Sequence, residues 1–187
     1  MKNRMKIGSH GFDVTHCRLM AHLGPDKFYW TLRVFAKGTL AGKSVEPSAC
    51  SENLLSLFNQ RLKSWQQVLE APITWDACYN PIHERAEASL FVYSYEDIER
   101  STLTLKPKGP TTFELHWTGS ADVSSEEFDD NDDLQIEIQA DGSFDGVRVC
   151  GLSESEALPI LKEHLTEDAF QFNALLPDVS LLYTLIV

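Results

Sequence analysis

Basic residues are scarce in this chain relative to acidic ones. Its 187 residues include 16 Lys and Arg against 28 Asp and Glu, which gives a formal net charge of -12. Because proteins bind nucleic acid phosphates by displacing counterions with Lys and Arg, this balance argues against nucleic acid as a partner. Anionic membrane surfaces are disfavoured for the same electrostatic reason. We therefore expect neither nucleic acid nor a membrane among the partners.

Long apolar runs and closely paired cysteines are also missing. No stretch approaches the roughly 18 apolar residues that a membrane-spanning helix needs. The first six residues carry positive charge, but no apolar segment follows them, so we expect no signal peptide. The four cysteines, Cys17, Cys50, Cys78 and Cys150, form no CxxC pair. We expect reduced thiols in a cytoplasmic protein, with Cys17 and Cys150 in the core, and two disulfides as the alternative.

The common catalytic and metal-binding motifs are missing as well. The chain has no GxSxG nucleophile elbow. Three residues separate Gly38 from Gly42, whereas a phosphate-binding P-loop needs four. His16 and His22 are six residues apart on one predicted strand, roughly 20 Å, which is too far for one metal ion to bind both. These absences favour a non-catalytic protein over an enzyme, and no cofactor is expected.

Two weaker candidates for chemistry remain. Four side chains of zinc-binding type lie close together in the sequence: Asp76, Cys78, His83 and Glu84. Their spacing matches none of the usual zinc patterns. Cys50 precedes a predicted helix, whose dipole would activate its thiol. An enzyme of unrecognised class would be favoured by a deep pocket that holds Asp76, Cys78 and His83 together.

Period-two alternation predicts most of the strands. Residues 113–118 and 134–140 alternate apolar and polar side chains, which is typical of a sheet with one buried and one solvated face. The runs 12–23 and 28–36 alternate in the same way. A turn between these two runs predicts an N-terminal hairpin.

Two glycines in the second half of the chain carry local predictions. Asp141 and Gly142 are the residue pair that a tight type I′ turn prefers, so they predict a hairpin between the strand at 134–140 and the next run. After this pair the alternation changes phase at Gly146. A change of phase at a glycine indicates a β-bulge.

A helix is predicted from about residue 51 to residue 70. Apolar residues recur there at three- and four-residue spacing. They are Leu54, Leu55, Phe58, Leu62, Trp65, Val68 and Leu69. Pro72 would end the helix.

The C-terminal region predicts short helices followed by a strand. Ser153 and Glu156 have the spacing of a capping box, although Pro159 suggests a later first turn. Residues 166–176 predict a second short helix, and 179–187 a final buried strand. The sequence thus predicts one α+β domain, with a mixed or mostly antiparallel sheet, one long helix packed on a face, and short C-terminal helices.

Acidic residues are concentrated in one predicted loop. Between the strands 113–118 and 134–140, seven of the twelve residues 122–133 carry carboxylates. They are Asp122, Glu126, Glu127, Asp129, Asp130, Asp132 and Asp133. So many carboxylates repel one another unless water, a cation or a basic partner lies between them. This loop is therefore the main candidate for a binding site.

Three interpretations of the loop stay open. It can be a solvated connection, because runs of charge are usually just solvated. It can attract a basic protein through its negative field. It can hold Ca²⁺, which takes oxygen ligands; these would be Asp129, Asp130, Asp132 and Asp133. EF-hand spacing is absent, because the sixth and twelfth positions counted from Asp129 or Asp130 lack the required Gly and Glu.

The leading hypothesis is a non-catalytic binding protein that engages a basic protein through residues 122–133. Small acidic cytosolic bacterial domains without a catalytic motif are often of this kind, and immunity proteins against basic toxins are examples. That step is an analogy at the level of the whole chain. The alternatives are a calcium-dependent module that uses the same loop and an enzyme of unrecognised class.

Overall fold

The structure is a computed structural model, and the parts of the chain that it describes form mainly β-strands. It describes residues 3–25, 28–51, 64–69, 72–80, 85–123, 128, 133–165, 168–175 and 180–186. The strands are β1 (Arg4–Ile7), β2 (His10–Leu23), β3 (Phe28–Leu40), β4 (Lys43–Val45), β5 (Ser48–Ser51), β6 (Ile73–Trp75), β7 (Tyr79–Asn80), β8 (Arg85–Ala86), β9 (Ala88–Phe91), β10 (Tyr95–Asp97), β11 (Glu99–Pro107), β12 (Thr112–Ala121), β13 (Leu134–Val149), β14 (Phe170–Leu175) and β15 (Leu181–Leu185). A 3₁₀ helix (Trp65–Leu69) and one α-helix, α1 (Glu154–His164), complete the described elements.

Most of these strands belong to one large, curled sheet. Its order is β10-β9-β5-β3-β2-β1-β13-β12-β11-β6, with β4 paired to β3, and β15 paired to both β13 and β14. Strands β7 and β8 form a separate pair. The pairings are antiparallel except that of β2 with β13, which is parallel. This exception arises because short β1 is antiparallel to both strands and separates them only along its four residues.

The two ends of the sheet order are neighbours in the chain. Only Ile98 separates β10, at one end, from β11, next to the other end. Ile98 is fully buried; its N–H donates to the Ala88 carbonyl (3.2 Å), and its carbonyl accepts from Trp75 Nε1 (2.8 Å). Cys78 Sγ also donates to the Ala88 carbonyl (2.9 Å). These bonds tie the two ends of the curled sheet together.

The core lies on the face that the alternation predicts as apolar. Along β12, Phe113, Leu115 and Trp117 are fully buried, whereas the side chain of His116 is exposed. The predicted N-terminal hairpin is confirmed by the antiparallel pairing of β2 with β3. The acidic tract connects β12 and β13, as predicted.

The predicted α+β fold is wrong. The described residues are mostly antiparallel sheet and contain one α-helix. Of the predicted helix 51–70, Ser51 ends β5, Trp65–Leu69 form the 3₁₀ helix, and residues 52–63 and 70 lie outside the described residues. The spacing of apolar residues reports only a local preference. In the described part of the run, Trp65–Leu69 form a short 3₁₀ helix, and Ser51 is held in β5 by pairing with β3 and β9.

The second C-terminal helix is also wrong, because residues Phe170–Leu175 form β14. Phe170 and Phe172 alternate with Gln171, which is a strand pattern, and β14 pairs with β15. The capping box is confirmed: the Ser153 N–H donates to Glu156 Oε2 (2.8 Å), and α1 begins at Glu154. None of the helices in the described ranges is long and apolar enough to cross a membrane.

The hairpin predicted at Asp141 and Gly142 is wrong as well, because β13 runs unbroken through both residues. Gly142 lies opposite Phe113, and a Cβ at Gly142 would come within 2.8 Å of Cys17 Sγ and closer still to the Phe113 ring. The glycine is thus needed for close packing and not for a turn. The bulge predicted at Gly146 is confirmed by its φ of 109° and by a register shift against β2.

Candidate functional site

The structure describes two of the seven predicted site residues. Asp122 directly follows β12 and Asp133 directly precedes β13, and both are exposed. Val123 and Phe128, also in this connection, are buried. The other five predicted site residues lie outside the described residues: Glu126, Glu127, Asp129, Asp130 and Asp132.

Asp122 and Asp133 line a groove of about 450 Å³ beside β10. We call it the acidic groove. Its lining residues are Tyr95, Glu96, Asp97, Glu99, Ser120, Ala121, Asp122 and Asp133. Five acidic residues therefore line one groove, and three of them, Glu96, Asp97 and Glu99, were not predicted as site residues, because they lie outside the acidic tract in the sequence. The cross-strand pairing of Glu99 with Ser120 brings these three residues close to Asp122. The sequence carries no local signal for that pairing.

A β-bulge shapes the groove at the start of β11. The pairing of β11 with β12 shifts register between Glu99 and Thr102, and Arg100 has a φ of 47°. Non-glycine residues rarely adopt this left-handed conformation. The bulge directs the Arg100 side chain across β12, where Nε and Nη2 donate to Ser120 Oγ at 3.0 and 2.8 Å. The same guanidinium forms an ion pair with Asp133.

Gly119 of β12, the strand that pairs with the bulged part of β11, leaves room for the bulge. A Cβ at Gly119 would lie 2.6 Å from Ser101 Oγ and 2.7 Å from Ile98 Cγ2. Ser101 is buried and accepts a hydrogen bond from Trp117 Nε1 (3.3 Å). The Arg100 N–H donates to the Asp76 carbonyl (2.7 Å). These contacts fix the position of Arg100 at the rim of the acidic groove.

The charges of the acidic groove are largely uncompensated. Arg100 pairs with Asp133. Within the described residues, no ion pair forms to the remaining four carboxylates of the groove, although Ser94 Oγ donates to Glu96. Carboxylates that share a groove reinforce one another's field, and a concave site concentrates that field. The groove is therefore suited to a cationic ligand.

A row of exposed and half-buried side chains meets the groove at Tyr95. Cross-strand pairing aligns Phe35 of β3, Ser48 of β5, Phe91 of β9 and Tyr95 of β10. We call these four residues the aromatic row. Tyr95 is 77 % exposed and Phe35 is 42 % exposed, and the rings of Phe91 and Tyr95 lie 5.0 Å apart. The row places apolar contact area directly beside the carboxylates.

No family model, curated protein or solved structure matches this chain. Its function therefore has to be inferred from the chemistry of its surface. The acidic groove and the aromatic row together offer charge and apolar contact to a single ligand.

A second, larger cleft of about 530 Å³ lies between β2 and β13, and its charges are paired. Lys108 Nζ is 2.7 Å from Asp141 Oδ1, and Arg18 Nε is 3.5 Å from Asp145 Oδ2. Burial, followed by the charges of Asp141 and Asp145, raises the pKa of the Cys17 thiol in this cleft to about 12. A thiol that stays protonated is a poor nucleophile, so the cleft is not built for thiol catalysis.

The candidates for metal and thiol chemistry are not assembled in the described residues. Burial raises the pKa of Cys78, whose Sγ donates to a carbonyl, while His83 and Glu84 lie outside the described residues. Cys50 lies within β5, and residues 52–63 of the helix predicted after it lie outside the described residues. Among the described residues, no three His, Cys, Asp or Glu side chains are arranged to hold a metal ion. Asp133, a predicted calcium ligand, is engaged by Arg100.

The predicted cysteine positions are confirmed in part. The four cysteines form no disulfide, and Cys17 is buried as predicted. Cys150 is exposed and follows Val149, the last residue of β13.

Proposed function

We propose that this chain is a non-catalytic binding protein whose acidic groove docks a basic surface of another protein. One observation carries the proposal: five acidic residues from four segments of the chain line one groove, and among the described residues only Asp133 of these five forms an ion pair, with Arg100. The predicted acidic tract points to the same place, because Asp122 and Asp133 at its two ends both line the groove.

The groove would act mainly on the rate of association. Exposed ion pairs contribute only about 0–1 kcal/mol each to affinity. A field of one sign accelerates the diffusional encounter with a partner of opposite sign, and salt screens it over about 10 Å at 0.1 M. A basic toxin neutralised by an immunity protein would be a partner of this kind, and this remains an analogy.

The experiment uses a fluorescent nona-arginine peptide as a basic probe and two matched triple variants. The groove variant carries Asp97→Asn, Glu99→Gln and Asp122→Asn. The control carries Asp13→Asn, Glu46→Gln and Glu163→Gln, which remove the same charge from exposed residues outside the groove.

The expected result follows from the location of the lost charge. At low salt, the groove variant should bind the probe about tenfold more weakly, since three exposed pairs at roughly 0.5 kcal/mol each sum to that factor. The control should lose about threefold or less, because only its longer-range field changes. Equal losses in the two variants would mean that the probe reads net charge alone, and the proposal would fail.

A further inference from the structure

The free edge of β10 borders the acidic groove. Two hydrogen bonds show which residue pairs of the β9–β10 hairpin are hydrogen-bonded to each other. Val92 N–H donates to the Ser94 carbonyl (3.4 Å), and Ile98 N–H donates to the Ala88 carbonyl (3.2 Å). Antiparallel strands alternate bonded and non-bonded pairs, so Tyr95 and Asp97 direct their backbone N–H and C=O away from β9. In the described part of the chain, no strand pairs with that side of β10.

The side chains along this edge are of two kinds. Tyr95 lies at the end of the aromatic row, and Asp97, two residues on, points to the same face of the sheet. An extended segment laid beside β10 would therefore place one side chain against Tyr95 and, two residues away, another against Asp97. An apolar residue fits the first position and a Lys or Arg fits the second.

We propose that β10 accepts an extended segment of the partner as an additional strand, with alternating Lys or Arg and apolar side chains. The proposal rests on the function proposed above and specifies how the basic partner is held. Backbone hydrogen bonds to Tyr95 and Asp97 provide the pairing, and alternate side chains provide specificity. The remaining carboxylates of the groove, among them Glu99 and Asp122, attract the basic side chains.

Charge decides between this partner and a second copy of the same chain. If the β10 edges of two copies paired antiparallel about their centres, Glu96 would lie opposite Glu96, and the two acidic grooves would face each other. Like charges directly opposite on paired strands are destabilising. Charged residues on an edge strand prevent such self-association, and the same charges favour a basic strand.

The test separates strand pairing from simple charge attraction. The probes are a synthetic peptide of alternating Arg and Val and the same peptide with every backbone amide N-methylated, which keeps the charge and removes the N–H donors along both edges of the peptide. The protein variants are Tyr95→Pro, which removes the outward N–H, and Tyr95→Ala, which removes the ring and keeps the N–H. A melting temperature close to that of the parent establishes that Tyr95→Pro still folds.

N-methylation should weaken binding to the parent protein about tenfold, because it removes two or so backbone hydrogen bonds. Tyr95→Pro should also bind the unmodified peptide more weakly than Tyr95→Ala does. If the N-methylated peptide binds as tightly as the parent peptide, strand addition is overturned, while the groove function stands provided that the groove variant has lost binding. If neither peptide binds at low salt, both proposals are overturned. Measuring the N-methylated peptide on the unmodified protein keeps the test valid if Tyr95→Pro fails to fold.

Discussion

Arg100 reaches across β12 and forms an ion pair with Asp133, which lies at the opposite end of the acidic tract from Asp122. The pair places the Arg100 guanidinium at the rim of the acidic groove. It depends on the left-handed conformation of Arg100, since the bulge turns this side chain toward β12. Arg100 therefore combines an unusual backbone conformation, a shift in sheet register and the ion pair at the groove.

Two substitutions at Arg100 distinguish the effect of its backbone conformation on stability from the effect of its charge on binding. Both Arg100→Ala and Arg100→Gly remove the guanidinium, but only glycine adopts a positive φ without steric cost. We expect Arg100→Gly to be about 1 kcal/mol more stable than Arg100→Ala in chemical denaturation. Both variants should bind nona-arginine more tightly than the parent protein, because the cation at the groove has gone. An alanine variant as stable as the glycine variant would show that the bulge relaxes when the side chain is removed.

Two buried tryptophans differ in one hydrogen bond. Trp30 and Trp117 are both fully buried. Trp117 Nε1 donates to Ser101 Oγ, whereas Trp30 Nε1 has no hydrogen-bond partner among the described residues. Both Trp→Phe substitutions leave a cavity, but Trp117→Phe also removes a hydrogen bond. It should therefore cost about 1 kcal/mol more in free energy of unfolding. Equal costs would mean that the Trp117 bond contributes nothing net.

His22 should make stability depend on pH below neutrality. Burial, followed by the charges of Arg148 and Arg33, lowers the pKa of His22 to about 4. The unfolded chain takes up this proton near pH 6.5, so the free energy of unfolding should fall as the pH drops from about 6.5 to about 4. Above that window and below it, His22 contributes no slope.

The contribution of His22 is isolated by comparing the parent protein with His22→Gln, which can still hydrogen-bond to Thr31 Oγ1. We expect about 1–2 kcal/mol less acid destabilisation in the variant, a value reduced for the partial exposure of the ring. Urea titrations at several pH values measure the difference. Parallel pH profiles for the two proteins would contradict the lowered pKa.

The four thiols should react at very different rates. Cys150 is exposed, whereas Cys17 and Cys78 are buried with raised pKa values caused chiefly by that burial. At mildly alkaline pH, a maleimide should therefore label Cys150 first, and Cys17 and Cys78 only once the chain unfolds. Mass spectrometry identifies the labelled positions, and Cys150→Ser is the control that should remove the fast phase. Rapid labelling of Cys17 in the folded protein would contradict its burial.

The strands were predictable where one face is buried and the other is solvated. In β12, alternation alone identifies Phe113, Leu115 and Trp117 as core residues. The pair at Asp141 and Gly142 misled the prediction, because its turn preference is local, whereas the packing of Phe113 against Gly142 comes from a distant strand.

Only part of the candidate site could be predicted from the sequence, for a related reason. The tract from Asp122 to Asp133 stands out as a run of charge. Asp97 and Glu99 join it only through the register of β11 against β12 and through the curl that brings both ends of the sheet together at Ile98. Such long-range pairing leaves no periodic signal in the residues themselves.

The most direct test of the acidic groove is carbodiimide cross-linking of the protein to a lysine-rich peptide, with the linked carboxylates mapped by mass spectrometry. The reagent joins a carboxylate to an amine only when the two are in contact. We expect cross-links concentrated at Asp97, Glu99 and Asp122, and we expect them to be lost at high salt as the field is screened. Cross-links spread equally over exposed carboxylates elsewhere, such as Glu46 and Glu163, would contradict it.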